Sequence, residues 1–311
     1  MDQIMGNIDL LIQYPIVNFK IIIDGVLIGA LFALAAYGLA LVWGVMNVKN
    51  LAQGDFVIGG GYISWWLNKI LGLQDALGPI GPLLGAPIAF VVMWGIGWVT
   101  YKLVISRVIE RDLFTSLLAT FGLAIMMAQL MNLMFGSDTQ SLELGLETLY
   151  FADGLIDVPM AKLIGVIMAA VLAAVVIIFM KRSRMGQAIR ATAQDARAAR
   201  VIAIDTEKVY AFTFSLNSAI CGAAGAIIVM VWVIQPFYGI TYSVRSFVIV
   251  TAAGLGNLPG VIAAGLGIGA AEQYASHIFG IGYQQAIAVM LLLVVLIFRL
   301  MQQKRHRQVL Q

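Results

Sequence analysis

The sequence predicts an all-α integral membrane protein: a polytopic helical bundle of about eight or nine transmembrane helices with a short cytoplasmic helix. Three observations carry that prediction. Of 311 residues, 61% are apolar and only 11% charged, with a mean hydropathy of +0.93. A soluble domain of this length has no interior large enough to hide so much apolar surface. The apolar residues fall in runs of about twenty, the length that crosses a hydrocarbon core. The charges collect between the runs, and basic loops alternate with acidic ones, as the positive-inside rule requires.

The chain divides into an N-terminal interfacial segment (1–20), a transmembrane domain (21–301) that contains a cytoplasmic loop (181–209), and a basic cytoplasmic tail (302–311). Residues 1–20 mix Ile8, Leu10, Leu11, Ile12 and Ile16 with polar neighbours, which suits a short helix on the membrane surface, broken at Pro15. The N-terminus has no basic region and no small-residue cleavage site, so the first span is expected to stay uncleaved. Ile21–Val45 reaches roughly 37 Å as a helix. Its rows Gly25, Gly29, Ala33 and Ala36, Ala40, Gly44 are the small-residue ladders that let helices approach closely in lipid.

Met46–Tyr62 is too polar for lipid contact and runs into Gly59-Gly60-Gly61, which predicts a bend or re-entrant stretch opening a thin-waisted helix; a plain cytoplasmic turn is the alternative. Leu73–Gly85 reads as a loop rich in Gly and Pro. Pro87–Val104 spans next, and Tyr101–Asp112 carries Lys102, Arg107 and Arg111, which suits the cytoplasmic side. Leu113–Phe135 spans in the other direction. The loop Gly136–Met160 holds Asp138, Glu143, Glu147, Asp153 and Asp157 without Lys or Arg, which suits the outer face. Ala161–Met180 returns to the basic side. Tyr210–Ile234 spans with Ser215, Ala219, Ala223 and Ser218, Gly222, Ala226 as small-residue rows, and Gln235-Pro236 is expected to stop it. Val244–Gly280 reads as two short crossings joined at Asn257–Pro259. Gly282–Leu300 is the last span, leaving Lys304, Arg305 and Arg307 in the cytoplasm.

The longest charged run is Arg182–Val209. With Lys181, it carries seven positives (Lys181, Arg182, Arg184, Arg190, Arg197, Arg200, Lys208) against Asp195, Asp205 and Glu207. Its alanines favour short helices, and Gly186 marks the expected bend at its start. Two readings stand: an ordinary basic cytoplasmic loop, or a short helix that docks into a groove on a soluble partner.

Several chemistries are excluded. There is no G-x-x-x-x-G-K-[ST] phosphate loop, no nucleophile elbow and no HExxH helix, so neither ATP hydrolysis nor a known intramembrane enzyme is indicated. GLGNLPG (Gly254–Gly260) follows no strand and lacks dinucleotide-binding spacing. His277 and His306 have no metal-ligand spacing, and Cys221 is alone in an apolar run. The net charge of +3 sits in loops and tail, so nucleic-acid binding is not implied. Asp24, Asn47, Gln53, Asp55, Asn217, Asn257, Glu272 and Gln273 are expensive in lipid and mark an interior contact or a pathway. Asn47, Gln53, Asp55, Asn257 and Glu272 are the candidates for a translocation path. For Asn217 and Asn257 a cap or an interhelical hydrogen bond is the simpler role. Few membrane carboxylates and no mid-span His argue against ion coupling.

Four stretches, in order, carry a resemblance: GVLIGALFALAAYGLALVWGVMNVKNLAQGDFVIGGGY (Gly25–Tyr62), LLATFGLAIMM (Leu117–Met127), RSRMGQAIRATAQDARAARVIAIDTEKVYAFTFSLNSAICGAAGAI (Arg182–Ile227) and GLGNLPGVIAAGLGIGAAEQ (Gly254–Gln273). Together they resemble the permeases of branched-chain amino-acid ABC importers, the first of the two permeases in particular. The resemblance implies a bacterial inner-membrane subunit that pairs with a second permease, a heterodimer being favoured. It also implies two partner ATPases that bind the ATP, and a periplasmic binding protein that delivers the solute. It implies no cofactor or metal on this chain. Asp195–Ile204 then matches the segment that docks on the ATPase, with Arg190, Asp195, Arg197, Arg200, Ile204, Asp205 and Glu207 as coupling residues. Arg197 and Arg200 would face acidic groups, Ala198, Val201 and Ile202 would supply apolar contact, and Asp205 and Glu207 would cap the next helix. Family members commonly carry His where Gln53 stands before Gly54-Asp55, which loosens any inference about the solute. Related permeases for urea or short amides are the alternative, and a stand-alone channel or carrier is the alternative of another class.

Overall fold

A computed structural model describes residues 2–109, 111–151, 156–254 and 257–308. Asp153 of the acidic loop, Leu255 and Gly256 of GLGNLPG, and the side chains of the basic tail lie outside the described residues. The chain is helical almost throughout: α1 (Asp2–Gln13), α2 (Pro15–Met46), α3 (Gln53–Lys69), α4 (Leu73–Leu77), α5 (Ile80–Thr100), α6 (Ser106–Val108), α7 (Leu113–Phe135), α8 (Met160–Arg182), α9 (Arg184–Gln194), α10 (Ala196–Val201), α11 (Thr206–Ile228), α12 (Gly239–Ala253), α13 (Leu258–Phe279) and α14 (Gln284–Gln308). One π turn, Tyr101–Ile105, joins α5 to α6, so Ile80–Val108 is one continuous rod. A hairpin of β1 (Thr148–Phe151) and β2 (Ile156–Pro159) pairs antiparallel, with Leu149 opposite Val158.

Among the described residues, five helices are long and apolar enough to cross a membrane: Pro15–Met46, Ile80–Val108, Phe114–Phe135, Met160–Arg182 and Thr206–Ile228. Burial separates them. The apolar windows of α2 and α11 are 83% and 89% buried, whereas those of α5–α6, α7 and α8 are 28% or less. The bundle is therefore built around α2 and α11, with a rim of helices whose outer faces remain apolar.

Glycines bring these helices together. A Cβ on Gly29 would overlap the carbonyl of Gly265, and one on Gly269 would overlap the carbonyl of Gly25, so α2 and α13 touch backbone to backbone. Without a hydrophobic force in lipid, such close dispersion contact is what holds helices together. The row Gly25, Gly29, Ala33 is the ladder expected from sequence. In the other row Ala36 and Ala40 are buried, but Gly44 has open space around it. On α11, Gly222 packs on Met93 and on the carbonyl of Ala89, while Gly225 packs on the backbone of Val57 and Gly61. This places α11 between α3 and α5.

Several boundaries differ from the sequence reading, each for a local reason. α2 begins at Pro15, whose fixed φ and missing N–H suit a first helical position. The Gly59–Gly61 run is not a bend. It lies inside α3, where Gly60 meets Gly222 and Gly61 meets Gly225 and Ile234. Ile80–Gly85 is helical rather than loop, with Pro82 near the first turn of α5, where a missing N–H removes no bond. The acidic loop folds back as the β-hairpin. α11 ends at Ile228, six residues before the expected stop at Ile234. Val229–Trp232 then turns out of the helix, with the N–H of Leu142 donating to the carbonyl of Val229 (2.9 Å), and Ile234 pairs with Gln140 as an isolated bridge.

Two helices flank Asn257–Pro259, α12 beginning at Gly239, before the expected Val244, and α13 running for 22 residues. Asn257 caps α13 by accepting from the N–H of Gly260 (3.1 Å).

Candidate functional site

Two groups of polar residues stand out. One lies at the bundle end formed by α9 and α10, the other inside the bundle.

The first is a chain of capped helices. Ser183 begins α9 by accepting from the N–H of Gly186 (2.8 Å), so the bend falls at Ser183 and not at Gly186, which packs on the backbone of Met180. Asp195 ends α9 and caps α10, accepting from the N–H groups of Arg197 (2.8 Å) and Ala198 (3.0 Å). Those two donors, Ala198 foremost, hold its carboxyl below the usual carboxylate value, assisted by the charge of Arg197. Beyond α10, Ala203 takes a left-handed conformation (φ 62°), and the N–H of Ile204 closes back on the carbonyl of Ala199 (3.0 Å). Asp205 then caps α11, accepting from the N–H of Lys208 (3.1 Å). Lys208 reaches the same carboxylate through its ammonium (3.0 Å), and this hydrogen bond is the main reason that the Asp205 carboxyl is also held low.

These caps fix what α10 presents. Ala199 is buried beneath it, while Val201 and Ile202 are 87% and 68% exposed. Arg197 and Arg200 are on the exposed side, and Nε of Arg200 donates to the Thr206 hydroxyl (2.9 Å), tying α10 to the start of α11. Arg190 donates to the carbonyl of Met180 at the α8–α9 corner. Ile204, Asp205 and Glu207 line a cleft of about 490 Å³ against Tyr101 and Tyr210.

The second group sits at mid-height. Asp24 pairs with Lys162 (2.8 Å) nine residues into α2, and Ala35 lies about 16 Å along the helix from its last residue, Met46. The amide of Gln53 donates to the carbonyl of Ala35 (2.9 Å) and to Oδ1 of Asn217 (3.0 Å), and Asn217 returns a bond to Oε1 of Gln53 (3.1 Å). Asn217 is likewise the central residue of α11. So the chain leaves α2, climbs back along Asn47–Ala52 and begins α3 halfway up the bundle. Cys221, fully buried, adds its sulfur to the same cluster.

The start of α12 meets the start of α3 at this height. The N–H of Gly54 donates to the Ser243 hydroxyl (2.8 Å), which donates in turn to the carbonyl of Leu51 (2.8 Å). A Cβ on Gly239 would overlap the carboxylate of Asp55. At 17 and 15 residues, α3 and α12 are roughly 25 Å and 22 Å long.

The five residues singled out for a path therefore do not form one cluster. Asn47 (φ 53°) ends α2 and Asn257 begins α13; both are exposed caps. Gln53 and Asp55 share the first turn of α3. Glu272 is apart from them, in a buried ion pair that sequence reading missed: Nε and Nη2 of Arg245 both donate to its Oε1 (2.9 and 2.6 Å). Arg245 also lies over the ring of Phe32, 4.6 Å from its centroid. Its signal in the sequence was available, a lone Arg in the apolar run that also holds Glu272. Among the described residues, no three His, Cys, Asp or Glu side chains come together as metal ligands.

The comparisons with known proteins agree with one another. A family model described as the permease component of branched-chain amino acid transport systems matches residues 21–300. The high-affinity branched-chain amino acid transport system permease protein BraD of Pseudomonas aeruginosa is 26% identical over 287 residues, covering 89% of this chain and 92% of that protein. The corresponding LivH of Salmonella typhimurium is 28% identical over 292 residues (88% and 91%), and that of Escherichia coli K12 is 26% identical over 285 residues (88% and 91%). No solved structure matches significantly.

Proposed function

Since the chain belongs to the family of branched-chain amino acid transport permease components, we propose that it is the membrane-spanning subunit of an ABC importer whose solute is a branched-chain amino acid. It lies in the inner membrane with a cytoplasmic C-terminus. A second, different permease pairs with it, a periplasmic binding protein delivers the solute, and two partner ATPases supply the energy. In this reading α10 is the coupling helix. Its support is the exposed Val201–Ile202 pair, two apolar side chains held in water by three successive caps. An apolar tip held this firmly on a polar loop is what a groove on a partner engages. Arg197 and Arg200 flank it to meet acidic groups on the rim. The spans number nine, the upper figure expected from the sequence, if the short α3 and α12, with α13 and α14, are counted beside the five long ones.

The test is co-purification. Arg197→Glu with Arg200→Glu is expected to leave the chain folded but weaken retention of the ATPase and solute-stimulated ATP hydrolysis. Val201→Asp is expected to do the same without touching the Arg200–Thr206 bond. Unchanged retention in both variants would remove the coupling assignment. Solute flux through liposomes holding this chain alone would point to a channel or carrier instead.

A further inference from the structure

At mid-height, where α3 and α12 begin, lies a cleft of about 210 Å³ between these helices and α7. Asp55 forms its floor, and Phe121, Ile125, Phe237 and Ile240 form apolar walls, with Gln129 on the rim. Asp55 is only 3% exposed, and its Oδ2 has no hydrogen-bond partner. Its place is costly, since a buried carboxylate is tolerated only when something completes its bonds. The first turn of α3 stabilises the negative charge but does not fill that oxygen. Discontinuous helices meeting at mid-depth are where membrane transporters hold solute.

We propose that this cleft holds the transported amino acid during its passage, the ammonium group on the Asp55 carboxylate and the aliphatic side chain against Phe121, Ile125, Phe237 and Ile240. This rests on the importer reading above. The chemistry selects the ligand class. The free oxygen is an acceptor and calls for a donor with positive charge. A bare metal ion is a poor match, because the cleft offers one carboxylate and one amide among the described residues and is otherwise apolar. An ammonium head beside an aliphatic tail matches both halves of the lining. Mid-height also separates the cleft from lipid headgroups. Gly239 belongs to the same device, since any side chain there would push into the carboxylate.

The test labels a thiol in the cleft, using the purified full-length chain in lipid nanodiscs. Ile240→Cys is exposed to a trimethylammonium-ethyl and to a sulfonato-ethyl methanethiosulfonate, each rate normalised to a free thiol; the native Cys221, fully buried, serves as the internal control. The cationic reagent is expected to react at least about tenfold faster than the anionic one. That preference should vanish with Asp55→Asn, and leucine, but not its deaminated analogue 4-methylpentanoate, should slow labelling. Equal rates for both reagents, or no labelling by either, would overturn the proposal. Leucine uptake by the wild-type chain assembled with its ATPases, second permease and binding protein tests the importer reading separately, because labelling needs neither ATP nor partners. Uptake with no charge preference in labelling sinks the cleft alone. Absent uptake sinks the importer.

Discussion

Glu272→Gln removes one charge from the Arg245–Glu272 pair and changes little else in shape. Both side chains are under 10% exposed, and both guanidinium donors converge on one oxygen at 2.6 and 2.9 Å. At about 3 Å and an effective dielectric constant of about 20, the attraction is roughly 5.5 kcal/mol. Much of it is offset by the loss of hydration, so the pair itself adds little net stability. Breaking it is different, because Arg245 then stays buried without a counter-charge. The expected loss is about 3–5 kcal/mol. The ring of Phe32 beneath the guanidinium returns about 0.5–2 kcal/mol at most. The measurement is the temperature at which the detergent-solubilised protein loses its monodisperse peak. Glu272→Gln and Arg245→Met should each lower it by several degrees. Arg245→Met with Glu272→Leu should lose less than either single change, since no buried charge remains. A wild-type temperature for Glu272→Gln, or a double variant showing the sum of the single losses, would refute the reasoning.

Gly29→Leu should be more severe, because its side chain meets the backbone of Gly265 and not a movable group. Overpacking of this kind costs about 1–3 kcal/mol or more, and aggregation on solubilisation would report the separation of α2 from α13; normal solubility would remove the ladder argument. Gln53→Leu should destabilise by about 1–3 kcal/mol, since the buried Asn217 amide and Ala35 carbonyl each lose a partner. Gln53→Leu with Asn217→Leu should recover part of that loss in the same thermal assay, and no recovery would mean that the two amides act independently. The caps of the α9–α11 loop carry a pH signature. Asp195 and Asp205 have folded values below the ordinary 3.8, so their stabilisation is fully present above that value and is lost as pH falls through the lowered folded values. Amide exchange at Ala198 and Lys208, corrected for its intrinsic rate, should therefore be flat from about pH 8 to 5 and rise only below about pH 4. A rise near pH 6 would assign the protection to another group.

Composition and short-range pattern were enough for the spans, for two caps and for one ladder. Apolar runs of membrane length can be nothing but helices, because every backbone polar group in lipid must be bonded within its own segment. The caps at Asp205 and Asn257 were legible because capping acts over three residues. The Gly25–Gly29 ladder was legible because helical periodicity puts both residues on one face. Tertiary structure decided the rest, since it depends on pairings across long stretches of chain. Nothing local says that Gln53 meets Asn217, that Arg245 faces Glu272, or that Gly60 belongs to a crossing with Gly222 and not to a bend. The early end of α11 has the same origin: the carbonyl of Val229 and both backbone groups of Ile234 bond to the acidic loop. Composition could name Asp55 as a polar residue in an apolar setting. Only the meeting of two helix starts halfway up the bundle leaves one of its oxygens without a partner.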